Sequence, residues 1–93
     1  LDELKAVLAR HGALSRFGVH LLHKHFDVAE DERLVEFTDE ANRTLTSRVF
    51  KTSELPTDGV VVETQWAFDG RGTRFCVGFC HYNWGHARRH NKV

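Results

Sequence analysis

The sequence predicts an α+β domain: one N-terminal helix packed on a curved, mostly antiparallel sheet of about five strands. Three observations carry this expectation: an apolar stripe at helical spacing over residues 2–11, a strict period-two alternation from Val60 to Phe68, and turn chemistry at 39–42 and 69–72 between strand-like runs. With 93 residues and no internal repeat, low-complexity tract or linker, residues 1–93 read as a single domain around one small core. Leu1 stands first and methionine is absent, so the chain reads as processed or as a piece of a longer polypeptide.

Leu1, Leu4, Val7, Leu8 and His11 recur at threes and fours and define the helix. Asp2 and Glu3 suit its positive end, Arg10 and His11 its negative end, and Gly12 its left-handed cap. Residues 18–27 read as a strand, because Gly18 disfavours a helix and Val19 and Phe26 fit a pleated surface. Residues 33–39 and 43–51 pair as a hairpin through Asp39-Glu40-Ala41-Asn42. The run from Val60 to Phe68 turns through Asp69-Gly70-Arg71-Gly72 into a returning strand, Thr73 to about Tyr82, that is apolar on both faces and therefore expected to be central. Residues 84–93 read as a polar tail.

Bulk composition narrows the classes of function. Thirteen basic and thirteen acidic residues cancel, which disfavours a domain built to neutralise many phosphates. The charges are nonetheless segregated, with acids crowded between Asp27 and Glu40 and no carboxylate from Gly70 onward. No apolar run approaches the roughly 20 residues of a membrane span. Four residues along a strand separate Cys76 from Cys80 by about 13 Å, too far for a bridge, so both read as reduced thiols and point to a cytoplasmic setting.

The chemistry-bearing stretch is His20-Leu21-Leu22-His23-Lys24-His25-Phe26, which holds three of the seven histidines. On a strand, His23 and His25 share a face with Asp27 while His20 points away. A His-x-His pair at that spacing is half of a transition-metal site, zinc or iron first, with Cys80, His86 and His90 as the candidates to complete it and Asp27 as an orienting acid. A different chemistry uses His23 and His25 as general base and acid in metal-independent RNA cleavage, with Lys24, Arg88 or Arg89 on the phosphate. A third reading assigns the histidines no chemistry and gives the uncovered sheet face to a protein or small-molecule partner.

Overall fold

The computed structural model describes residues 1–82; His86, His90 and the tail at 84–93 lie outside the described residues. Helix α1 spans Asp2–Arg10, followed by strands β1 (Glu32–Asp39), β2 (Thr44–Lys51), β3 (Val60–Phe68) and β4 (Arg74–Tyr82), with a 3₁₀ turn at Thr52–Glu54. The α+β class holds, with four strands in place of about five, ordered β2-β1-β4-β3. Two hairpins, β1–β2 and β3–β4, are antiparallel, and a short parallel pairing joins them at Val35↔Phe79 and Glu36↔Cys80.

Local chemistry explains each hairpin. Asp39 accepts hydrogen bonds from the Asn42 backbone (3.2 Å) and side-chain nitrogen (2.8 Å), closing the first turn. These bonds, the side-chain one foremost, hold the Asp39 carboxyl below its ordinary range. Their contribution is present above the ordinary carboxylate value and is lost as pH falls through the lowered one. In the second turn the Asp69 carboxylate accepts from the amides of Arg71 (2.8 Å) and Thr73 (2.9 Å). Gly72 there takes φ 81°, a conformation open to glycine without steric cost.

The helix ends as expected. Gly12 sits at φ 63°, its amide donates to Ala9 O and the Ala13 amide to Leu8 O, the paired bonds of a Schellman cap. The helix is not laid on the sheet, however: it buries no residue, and the extensive contacts between elements all run strand to strand. Residues 11–31 form no regular element that would bring its stripe down onto the strands.

The strand expected at 18–27 does not form. A strand needs a neighbour for its amides, and this stretch pairs with neither outer strand of the sheet, β2 or β3. Locally, the Leu21 carbonyl accepts from His23 Nδ1 at 3.1 Å, a side-chain bond that competes with extended pairing. The stretch instead lies over the sheet as an irregular arm.

Among the described residues the buried core is small: Val35, Ala67 and Cys80, with Val35 alone fully enclosed. It follows that Val35→Ala, which removes two methyl groups and leaves a void, should cost about 2 kcal/mol in urea denaturation. Leu21→Ala, at a position 83% exposed, should stay within about 0.5 kcal/mol of the parent.

Candidate functional site

The irregular arm and the sheet enclose a groove of about 910 Å³. Phe75, Val77 and Phe79, at alternate positions of β4, line its sheet side, and His20, His23 and His25 line its outer side. Arg33 ties the arm down. Its guanidinium donates to the carbonyls of Glu30 (2.9 Å) and Glu32 (2.8 Å) and lies 5.7 Å from the centre of the Phe79 ring. The Glu32 carboxylate accepts from the Ala29 amide at 2.9 Å, adding a second tether where the arm enters β1.

Without a strand, the three histidines fall together rather than on opposite faces. The rings of His20 and His23 stack at 5.6 Å, and those of His23 and His25 meet edge to face at 4.9 Å. All three are exposed. Asp27 faces Lys24 at 3.9 Å in an exposed ion pair. Phe75, Cys76, Val77 and Phe79 of β4 line the groove and Cys80 does not; it pairs with Glu36 and Val62. Among the described residues, no set of three or more histidine, cysteine or carboxylate side chains stands in position to hold a metal ion.

A fourth histidine, outside the expected ligand set, occupies a more enclosed place. His81 packs its ring 4.9 Å from that of Phe37, is 13% exposed, and brings Nε2 to 3.3 Å from Asp58 Oδ1. That separation suits an ion pair when the imidazole is charged, but the geometry of a hydrogen bond is not met, so Nε2 is buried without a hydrogen-bond partner. Gly59 makes the approach possible: a Cβ there would lie 2.6 Å from Nε2 and 2.8 Å from the Tyr82 carbonyl oxygen.

Cys76 and Cys80 are not bridged to each other. Burial pushes each above its ordinary value, with the carboxylates of Glu63 near Cys76 and Glu36 near Cys80 adding to the effect. The groove's sheet side was signalled in the sequence by the apolar alternation of Phe75, Val77 and Phe79. The contribution of Arg33, which depends on the arm folding back, carried no local signal.

No family model matches this chain, and neither a curated protein nor a solved structure shows significant similarity to it. Among the described residues no helix is long and apolar enough to cross a membrane.

Two outcomes follow from these environments. At neutral pH both thiols should react with iodoacetamide more slowly than a free cysteine, and Cys80, 3% exposed, more slowly than Cys76, as read by mass spectrometry over time. Gly59→Ala should lower the thermal midpoint, because one of the two atoms it meets is backbone and cannot swing aside.

Proposed function

We propose that this chain is a protein-interaction module whose groove receives apolar side chains of a partner polypeptide. One observation supports this above the rest: the imbalance between its buried and exposed apolar groups. Among the described residues three hydrophobic side chains are buried, while Phe17, Leu21, Leu22, Phe26 and Phe75 are each between 46% and 83% exposed, most of them on the arm or at the groove. Apolar surface gathered in one groove, as Leu22, Phe26 and Phe75 are, is costly in water and is normally covered. An aromatic anchor in such a groove buries about 150–250 Å², worth roughly 4–6 kcal/mol of transfer free energy. A complex of about 1 µM needs roughly 8 kcal/mol net of an association cost of at least about 4 kcal/mol, so about three such anchors are required.

A second reading is favoured by the histidine rings alone. His23 and His25 approach closely enough to share one transition-metal ion, zinc or iron, with His20 the nearest further imidazole. Protons compete for the same ring nitrogens, so such binding weakens as the pH falls. General acid–base work by His23 and His25 has less support. Lys24 faces Asp27 at 3.9 Å, and the other cations proposed to hold the phosphate, Arg88 and Arg89, lie outside the described residues.

Selection of displayed random peptides against the chain should enrich sequences with an aromatic or branched aliphatic anchor. Phe75→Asp should weaken the selected peptides at least tenfold without changing the circular dichroism of the sheet, whereas a pool with no common anchor would remove the groove reading. For the metal reading, tag-free protein dialysed against zinc should retain about one equivalent by elemental analysis and lose it in His23→Ala. Retention below about a tenth of an equivalent would exclude that reading.

A further inference from the structure

The sheet has two outer strands, and they differ. β3 carries register shifts between Glu63 and Trp66, and the Trp66 indole donates to the Glu63 carboxylate at 3.0 Å along that edge. Such irregularities twist an edge away from further pairing. β2 has none of these guards. All eight of its residues pair with β1 in unbroken register, it contains no proline or glycine, and Thr44 to Val49 are exposed. Among the described residues no strand lies on its outer side.

The charge of this edge selects its partner. From Ala41 to Ser53 there is no carboxylate, while Arg43, Arg48 and Lys51 supply three positive charges. Leu45 (66% exposed) and Val49 (36% exposed) share one face of the strand. On its inner side β2 already accepts a strand of the complementary kind. β1 sets Glu32 opposite Lys51 and Leu34 opposite Val49, and carries three acids against Arg33 alone. We infer that the outer edge of β2 is a strand-addition site for an extended acidic segment of another polypeptide, with alternating carboxylate and aliphatic side chains like those of β1. Main-chain hydrogen bonds supply the affinity, and the three cations supply the choice. A second copy of this chain is the poorer occupant, because its β2 would bring the same cations edge to edge.

This inference rests on the interaction-module reading but uses a different surface, and the test separates the two. A fluorescent peptide of residues 32–39 is titrated with the full chain and followed by anisotropy. Saturable binding is expected, weakened at least tenfold in a peptide carrying Glu32→Lys and Glu36→Lys, and weakened as salt rises from about 0.05 to 0.5 M. The charge reversal is placed in the peptide so that the fold of the protein is untouched. Lys51→Glu in the protein, checked for an unchanged thermal midpoint, should give a matching loss, and Phe75→Asp in the groove should give none. Absence of saturable binding, indifference to peptide charge, or self-association of the chain that the peptide does not displace would each overturn the inference. If groove peptides fail while this peptide binds, the groove reading falls alone.

Discussion

Two local hairpins become one sheet only through the parallel seam between β1 and β4. That seam is two residue pairs long, Val35↔Phe79 and Glu36↔Cys80, and it contains Val35 and Cys80, two of the three hydrophobic residues buried among the described ones. Hydrogen bonding there would be weak without the apolar enclosure, and the enclosure exists only because the strands meet. Everything placed across the sheet, from Arg33 over Phe79 to Phe37 against His81, depends on this contact.

The irregular arm is organised from the same place. It enters β1 at Glu32, where Arg33 and the Glu32 carboxylate bind the arm's own backbone, so the groove exists because the first residues of β1 hold the chain back over β4. Burial separates the two kinds of group in this region. The apolar side chains at the groove are too exposed to stabilise the free fold much, whereas the histidines are exposed at no cost and need no partner. The first circumstance demands a covering surface, and the second merely permits a ligand. For that reason the proposed function rests on apolar recognition rather than on imidazole chemistry.

What could be read from the sequence followed the range of the interactions. Both hairpins and the helix end were legible because Asp39 with Asn42, Asp69 with Gly72, and Gly12 with Ala9 act within a few residues of each other. The parallel seam was not legible, since nothing near Val35 in the chain refers to Phe79. The segment at 18–27 has the composition of a strand, but pairing is a property of two segments, and this stretch runs across the sheet without pairing to either outer strand. That one error displaced His20: alternation sends it away from His23, whereas the irregular backbone stacks the two rings. Cys80 lies off the groove that the histidines line, a placement that follows from its pairing with Glu36 and Val62 and not from any neighbour in the chain.

The seam also has a kinetic meaning. Each hairpin needs only contacts close in sequence and can form within about 1–10 µs, whereas Val35 and Phe79 must close a loop of more than forty residues before any contact rewards the cost. Two preformed ribbons, tethered by residues 52–59, therefore meet in the last and slowest step, and the arm has nothing to fold onto until they do.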